Sequence, residues 1–212
     1  MCKCTTLYGR PTNVVVERKK VSKKMYLDEA KVAVKALLAA VGEDTEREGL
    51  LDTPRRVAEM YDELTAGYKI DTKSVIEKAI FQEGSDEMVI VRDIPFYSLC
   101  EHHLAPFFGT ATIGYIPVNK RVVGLSKFAR VLDAFARRLQ VQERLGSQIA
   151  DAFYHSEGLR PLGVGVYIQA EHLCMAMRGV QKPGTSTVTN TLRGVFLEPT
   201  VKDEWLRAVS GR

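Results

Sequence analysis

The chain has 212 residues, 45% of them hydrophobic and 26% charged, which is typical of one globular domain with an appendage. Its net charge of +4 is concentrated at the start, because residues 1–24 contain seven Lys or Arg and one Glu, leaving 23 basic and 25 acidic residues in the rest. A body with that balance is not expected to bind nucleic acid. The longest apolar run, residues 36–41, is too short to span a membrane.

The first 83 residues predict a flexible arm followed by helices. Residues 1–24 show no useful helical or strand period and predict a basic, flexible arm. Residues 25–83 predict a helical segment, in which a first helix stops at Gly42 and a second begins at Thr53 and stops at Gly67. A weaker helix is predicted from Ser74 to Phe81. Both main helices space their apolar residues at i, i+3, i+4 and i+7: Val34, Leu37, Leu38 and Val41, then Val57, Met60, Tyr61 and Leu64.

Residues 84–212 predict a second domain that mixes strands and helices. A helix capped by Ser126 and a helix ending at Gly158 lie between two pairs of strands, and a short helix follows at 203–209. The predicted strands are Met88–Val91, Pro106–Ile116, Gly163–His172 and Thr187–Leu197. The order β-β-α-α-β-β predicts an α+β fold, with a four-stranded antiparallel sheet and two helices on one face. Such a sheet has two open edges and one uncovered face, so we expect copies of the chain to associate.

Two short clusters hold most of the residues that bind metals. Cys100 and His103 are spaced to converge on one ion, and Cys174 can complete a set of three from far along the chain. Thiolate and imidazole are the ligands that zinc prefers. If the predicted strand that ends at His172 continued to Cys174, the side chains of His172 and Cys174 would lie on the same face of the sheet. Two interpretations therefore remain: a structural zinc with His172 as a fourth ligand, or a catalytic zinc with an open position.

Polar residues elsewhere predict a binding site for an anionic heterocycle. Lys127 and Arg130 lie in the first turns of a helix, where a bound anion would relieve their repulsion, although both could simply extend into solvent. Arg178 adds a cation four residues after the second metal cluster. Glu143, which follows Gln142 at the next helix start, complements the helix dipole or accepts two N–H bonds from a guanine edge.

Four motifs together resemble those of the GTP cyclohydrolase I family: Cys100-Glu101-His102-His103, Gly124-Leu125-Ser126-Lys127, Gln140-Val141-Gln142-Glu143-Arg144-Leu145 and His172-x-Cys174-x3-Arg178-Gly179-Val180. The resemblance extends from about Thr53 to Val195. It implies the tunnelling fold, a ring-shaped homodecamer with active sites between subunits, and an enzyme that needs Zn²⁺. Unpaired cysteines and a thiolate–metal site also suit a reducing, cytoplasmic setting. The implied reaction opens the ring of GTP with water at C8. It releases formate and yields 7,8-dihydroneopterin triphosphate, the first step toward folate or tetrahydrobiopterin.

The resemblance also implies a role for each motif residue. The zinc ligands would be Cys100, His103 and Cys174. The catalytic residues would be His102, His172 and Ser126. The substrate-binding residues would be Gln142 and Glu143 for guanine, and Lys127, Arg130, Arg178 and Arg56 for the triphosphate. Glu59 stands one helical turn after Arg56, where some relatives have a lysine, so a further cation from that helix is not expected.

Two other functions are compatible with parts of the sequence. A related enzyme of the same fold could act on another purine-like or pterin-like substrate, and some such enzymes use no metal. A metal-free nitrile reductase, however, does not need the Cys–His–Cys set. A zinc-stabilised binding module would use four ligands and would leave Glu143 and the cations without a role. Detection of formate and a pterin after incubation with GTP separates these alternatives.

Overall fold

The computed structural model describes residues 23–83 and 86–210, which form two compact units divided after Glu59. The first unit contains α1 (Lys23–Ala40) and the start of α2 (Thr53–Leu64). The residue after α1's last turn, Gly42, has φ of +89°, a conformation that glycine adopts without steric cost. Nearly all of the predicted basic arm lies outside the described residues, and the predicted domain boundaries stay predictions.

The second unit is built on one mixed sheet with the strand order β5-β2-β3-β6-β7. Its four long strands are antiparallel, as predicted: β2 (Val89–Cys100), β3 (Pro106–Ile116), β6 (Gly163–His172) and β7 (Ser186–Gly194). The short β5 (Leu139–Gln140) joins parallel to the end of β2 and makes the sheet five-stranded, which the sequence did not predict. Two residues are too few to show a strand period.

The strand that leads to the metal motif is longer than predicted. It continues past Val91 to Cys100, because a bulge between Val91 and Ile94 absorbs Asp93, whose φ is +55°. Pro95 also lies within β2. Since β2 is paired on only one side until it meets β5, a residue that lacks an N–H is tolerated there. Cys100 is therefore the last residue of a strand, and the loop begins after it.

Other boundaries also differ from the predictions. The predicted helix from Ser74 is α3 (Thr72–Glu77), and β1 (Ile80–Gln82) follows and pairs with β4 (Arg121–Val123). The side chain of Asp71 caps α3 by accepting a hydrogen bond from the Ser74 amide at 3.3 Å. The second helix ends at Leu64, and a 3-10 turn, Ala66–Lys69, contains Gly67.

Two helices cover one face of the sheet, as predicted, and bury the main core. They are α4 (Ser126–Ala136) and α5 (Gln142–Tyr154), which ends four residues before Gly158. Ser126 was predicted to cap α4, but it is the first helical residue, and Leu125 occupies the N-cap position. The core residues are fully or almost fully buried: Phe107, Ile113, Phe128, Leu132, Leu145, Ile149, Phe153, Val166 and Ile168.

The opposite face of the sheet was predicted to be uncovered, but part of it is covered. The strand predicted to reach Leu197 ends at Gly194, and α7 (Pro199–Ser210) follows after a 3-10 turn. Trp205 of α7 is fully buried, and its indole N–H donates to the Asn190 side chain at 2.9 Å. Gly114 and Gly165 lie beneath this ring, where an added Cβ would come within 2.6 and 2.8 Å of it. Small residues on adjacent strands thus make room for a second, smaller core.

The pairing of β3 with β6 depends on Gly109. An alanine Cβ at this position would lie far inside van der Waals contact with the Gln169 carbonyl oxygen on the adjacent strand. We expect Gly109→Ala to lower the free energy of unfolding by at least ~2 kcal/mol, because backbone atoms must move apart. Thermal denaturation measures the effect. Gly124→Ala is the matched control, since its Cβ would make only ordinary contacts at 3.6 Å or more. Equal stability of both variants would contradict this packing.

Candidate metal centre and surrounding polar residues

The turn between β2 and β3 presents the first two candidate ligands. Cys100 is 6% exposed, and its backbone N–H donates to the Ala105 carbonyl at 2.8 Å. The amides of His103 and Leu104 donate back to the Cys100 carbonyl at 3.3 and 2.8 Å. Leu104 has φ of +54°, which closes the turn. The Cys100 sulfur lies 3.8 Å from Nδ1 of His103, so the turn itself holds the pair together.

The third candidate ligand comes from a different element than predicted. The strand was predicted to continue to Cys174, but β6 ends at His172 and the short helix α6 (Leu173–Ala176) begins at once. Cys174 still joins the cluster: one ligand atom each from Cys100, His103 and Cys174 lies within 4.8 Å of the others. Tetrahedral zinc places two thiolate sulfurs about 3.8 Å apart, so small adjustments would bring these atoms into coordination.

The chemistry of the donor set fits a cation. Burial raises the pKa of the Cys174 thiol, and the neighbouring Cys100 sulfur raises it further. Two thiolates side by side repel each other unless a positive charge lies between them. Two sulfurs and an imidazole nitrogen are ligands that suit zinc. The cluster therefore has the geometry and the chemistry of a metal site with three protein ligands.

His172 lies beside the cluster but is not part of it. Its Nε2 lies 2.8 Å from Oε1 of Gln142, and its ring stacks on Phe107 with the centroids 4.6 Å apart and the planes 2° from parallel. Burial lowers the pKa of His172, while the nearby Glu143 carboxylate opposes that shift. Among the described residues, the group of ligand atoms that lie within 4.8 Å of one another contains Cys100, His103 and Cys174 but not His172. The observed positions thus favour the three-ligand interpretation over the four-ligand one.

Gln142 and Glu143 are adjacent in sequence but differ in environment. Gln142 is 2% exposed, and its amide is hydrogen-bonded at both ends to protein groups. Glu143 is exposed, and its carboxylate has no hydrogen-bond or ion-pair partner among residues 23–83 and 86–210. Glu143 is therefore the member of this pair that can accept bonds from a bound molecule.

An ion pair that the sequence did not predict connects α5 to the turn between β2 and β3, which we call the metal turn. Arg144 forms a salt bridge with Glu101, and its Nε donates to the Gln140 side chain at 3.0 Å. The Glu101 amide also donates to the Gln140 carbonyl at 3.0 Å. Arg144 was visible in the sequence as a cation two residues after Gln142, but its partner Glu101 is 43 residues away, so the sequence did not indicate the pair. His102 is 64% exposed, with Nδ1 3.9 Å from the Cys100 sulfur.

The structure does not bring Ser126, Lys127 and Arg130 to the metal cluster of the same chain. The opposite end of α4 lies near the metal turn, because Oγ of Ser98 donates to the Ala136 carbonyl at 2.7 Å. A helix rises 1.5 Å per residue, so Ser126 is about 15 Å farther along the axis.

A second contact agrees with this orientation of α4. Just before α4, the Val123 amide donates to the Tyr115 hydroxyl at 3.1 Å. Tyr115 stands eight residues along β3 from Phe107, the residue on which His172 stacks. Eight strand residues span about 27 Å. The start of α4 therefore lies at the far end of the sheet.

The remaining predicted cations are Arg178 and Arg56. Arg178 is exposed and close enough to Cys174 to favour its thiolate form. Arg56 belongs to the first unit, where its Nε lies 3.1 Å from Asp52. Lys127 and Arg130 have no ion-pair partner within the part of the chain that the structure describes, so both charges are available to a ligand.

A candidate metal-binding triad beside a half-buried histidine and an exposed carboxylate, on an α+β sheet, defines a candidate metal-dependent enzyme. Residues 30–210 match the family model described as GTP cyclohydrolase I. A protein named GTP cyclohydrolase 1 from Corynebacterium glutamicum is 58% identical over 170 residues, which cover 80% of this chain and 85% of the relative. The protein of that name from Saccharomyces cerevisiae is 54% identical over 181 residues, or 85% of this chain and 73% of the relative.

The chain therefore belongs to the GTP cyclohydrolase I family of enzymes, and the resemblance found in its motifs is confirmed. Among solved structures, an archaeosine synthase QueF-like protein in the apo form aligns with 52% of this chain and 97% of its own length. Its TM-score of 0.41 and sequence identity of 17% are too low to inform function.

The cluster geometry predicts which residues retain metal. We expect Cys100→Ser and Cys174→Ser to lose most of their bound zinc, because serine is a poor zinc ligand at neutral pH. His172→Ala should keep its zinc, since His172 lies outside the group formed by the three candidate ligands. Metal analysis of the purified proteins measures this. His155→Ala, at the end of α5, is the histidine control. Full zinc occupancy in either serine variant would remove that cysteine from the ligand set.

Proposed function

We propose that the chain catalyses zinc-dependent hydrolytic opening of GTP at C8, with release of formate and rearrangement to 7,8-dihydroneopterin triphosphate. The observation that carries this proposal is the triad Cys100, His103 and Cys174 with His172 beside it and outside the ligand set. Three protein ligands leave a fourth position for water, as catalytic zinc sites require. Family membership supports GTP as the substrate.

Zinc is the metal that the donor set favours, and the proposed reaction needs what zinc supplies. When bound, zinc acts as a Lewis acid that makes water nucleophilic near neutral pH. The purine C8 is a poor electrophile, so attack on it requires such a nucleophile. The two cysteines and His103 hold the ion, and the Glu101–Arg144 salt bridge keeps their turn against α5.

The histidines supply and accept protons in this proposal. His172 donates a proton to N7 of the purine as C8 is attacked, which needs an acid with a pKa near neutrality. Its contacts with Phe107 and Gln142 hold the ring in one orientation. The exposed His102, close to the Cys100 sulfur, is the second acid–base candidate. Ser126 assists the later rearrangement of the ribose.

Guanine selection falls to Glu143. A carboxylate can accept two parallel bonds from N1–H and the 2-amino group of guanine, and adenine lacks that donor pair. The Glu143 side chain is exposed next to His172, and the neighbouring Arg144 is already paired with Glu101. The Glu143 carboxylate has no partner among the described residues, which supports this role.

The site is proposed to be completed by a second copy of the chain. Ser126, Lys127 and Arg130 lie about 9 to 15 Å along α4 from the end that contacts β2, so they reach a metal cluster most directly on an adjacent copy. The sheet offers the means of association, because β7 is an edge strand and β2 is unpaired on one side before Leu99. Pairing of these edges would extend the sheet between copies.

The same association leads to the ring-shaped homodecamer and the tunnelling fold that the motifs imply. Lys127, Arg130 and Arg178 then hold the triphosphate, with Arg56 a further candidate. The binding energy of this charged group positions the base over the metal. The product would enter folate or tetrahydrobiopterin synthesis in the cytoplasm. As for membranes, the helices described here are each too short or too polar to cross one.

Incubation with GTP tests the proposed function directly. Zinc-loaded protein should release one formate for each GTP consumed and give a pterin that fluoresces after oxidation. Removal of zinc with a chelator should stop both, and added zinc should restore them. Release of phosphate without formate, or no turnover of GTP by the zinc-loaded protein, would reject the proposal.

Replacement of the selecting carboxylate tests the guanine contact. In Glu143→Gln, one acceptor is lost and an amide donor faces the donors of the base. We expect GTP binding to weaken by about 2–4 kcal/mol, roughly 30- to 700-fold, with zinc content unchanged. Calorimetry measures the affinity. Glu157→Gln, an exposed acid paired with Lys73, is the control. If Glu143→Gln bound GTP with wild-type affinity, Glu143 would not be a guanine contact, and its remaining role would be to complement the helix dipole.

Neutralising the cations tests the triphosphate site. Lys127→Met, Arg130→Met and Arg178→Met should each weaken GTP binding roughly 10- to 100-fold and guanosine binding much less, because a charged bond to phosphate is lost. The salt dependence of GTP affinity should also become shallower. Arg160→Gln, an exposed cation near Glu157, is the control. Equal losses for nucleoside and nucleotide would indicate a folding defect.

Subunit mixing tests whether the site is shared between copies. Cys174→Ser and Lys127→Met proteins, each with little activity alone, should regain activity when they are dissociated and reassembled together. Mixed assemblies contain some sites with an intact metal cluster and an intact cation from different chains. No recovery in assemblies shown to be mixed would place both groups in the same chain.

A further inference from the structure

We propose that Gln142 does not bind guanine but acts as a positioning residue that holds His172 in one tautomer, with the proton on Nε2 and Nδ1 facing the substrate. This inference deepens the proposed function and rests on it for the identity of the reaction. The observation behind it is the set of contacts around one buried amide, which can be followed atom by atom.

The orientation of the Gln142 amide is determined by its surroundings. Its Nε2 lies 3.1 Å from the Ile168 carbonyl, 3.0 Å from the Thr187 carbonyl and 3.2 Å from Oγ1 of Thr189. Carbonyl oxygens can only accept, so the NH₂ group must be at this end. The flipped amide would place an oxygen against two carbonyls in a buried position, which costs both hydrogen bonds and adds repulsion.

The fixed amide in turn determines the protonation pattern of His172. The other end of the amide is Oε1, which lies 2.8 Å from Nε2 of His172. An amide oxygen only accepts, so Nε2 must carry a hydrogen. In neutral imidazole the other nitrogen, Nδ1, then holds the lone pair. The ring cannot easily turn to exchange its two nitrogens, because it stacks on Phe107. To act as an acid, the ring must first take up a second proton on Nδ1. Transfer of that proton to N7 of the purine then returns His172 to the neutral tautomer, with Nε2–H still bonded to Gln142.

The same contacts leave Gln142 unsuited to bind the base itself. The residue is 2% exposed, and every hydrogen of its amide is directed at a protein acceptor. A guanine contact would require one of these buried bonds to break. Glu143, exposed and without a partner among the described residues, meets no such obstacle. The two adjacent residues thus divide their work: Glu143 contacts the substrate, and Gln142 acts through His172.

A spectroscopic measurement tests the tautomer without any variant. The chain has four histidines, so ¹⁵N-labelled imidazole signals can be assigned by replacing each one in turn. In zinc-loaded wild-type protein without substrate, the His172 spectrum should show a protonated Nε2 and an unprotonated Nδ1. A protonated Nδ1 with a bare Nε2 would overturn the proposal. This readout does not depend on turnover, so it stands apart from the GTP assay that tests the proposed function.

A double-mutant cycle tests whether Gln142 acts through His172. Gln142→Met keeps the length of the side chain but cannot accept a bond from the ring. We expect kcat to fall about 10- to 100-fold, with the affinity for GTP nearly unchanged and a mixture of tautomers in the spectrum. In the His172→Ala background, Gln142→Met should cause no further loss of kcat, because residues that act as a unit are not additive.

Thr189→Val is the matched control, since it removes one bond from the same amide and leaves two carbonyls to hold its orientation. Its tautomer and kcat should resemble wild type. Two outcomes would overturn the proposal: additive losses in the cycle, or a Gln142→Met protein whose main defect is weak GTP binding with poor discrimination against inosine triphosphate. Either would indicate that Gln142 contacts the base.

Discussion

The pairing of β3 with β6 is the constraint on which the rest of the site depends. Ten consecutive pairs join these strands, and the first places Phe107 opposite His172. The turn that carries Cys100 and His103 enters β3, and the helix that carries Cys174 leaves β6, so one register brings together ligands more than 70 residues apart. A slip of one residue would turn His172 to the other face of the sheet. Strand pairing therefore brings the three candidate metal ligands together without an ion.

The orientation of α4 has the opposite effect, because it keeps part of the proposed site out of the chain. The helix is amphipathic and must lay its apolar residues on the sheet, which fixes its axis along β2. Its cationic start then points away from the metal turn. A single chain with this fold therefore has the candidate metal ligands at one end of the sheet and, within the described residues, two unpaired cations at the other. The proposed association between copies would bring the two groups together and pair the open strand edges.

Local chemistry in the sequence was sufficient for the α+β class, the order of the main strands and helices, and the metal triad. Thiolates and imidazoles at short spacing are rare in a chain with four cysteines and four histidines, so their clustering carried information. Apolar periods located α4 and α5 for the same reason. The predictions failed where local signals conflicted with pairing. Asp93 and Pro95 are not typical of a strand, so the sequence predicted too short a β2. The two residues of β5 are too few to show a strand period.

Contacts between distant residues were decided only by the tertiary structure. The sequence motifs indicated both Gln142 and Glu143 as guanine-binding candidates. In the structure, the Gln142 amide is buried and bonds to His172, whereas the Glu143 side chain is exposed. The Arg144–Glu101 salt bridge and the stacking of Phe107 on His172 also join residues far apart in the chain. Residue type and spacing determine which groups can do chemistry. Only packing determines the direction in which each polar atom points, because that direction depends on partners that the local sequence does not contain.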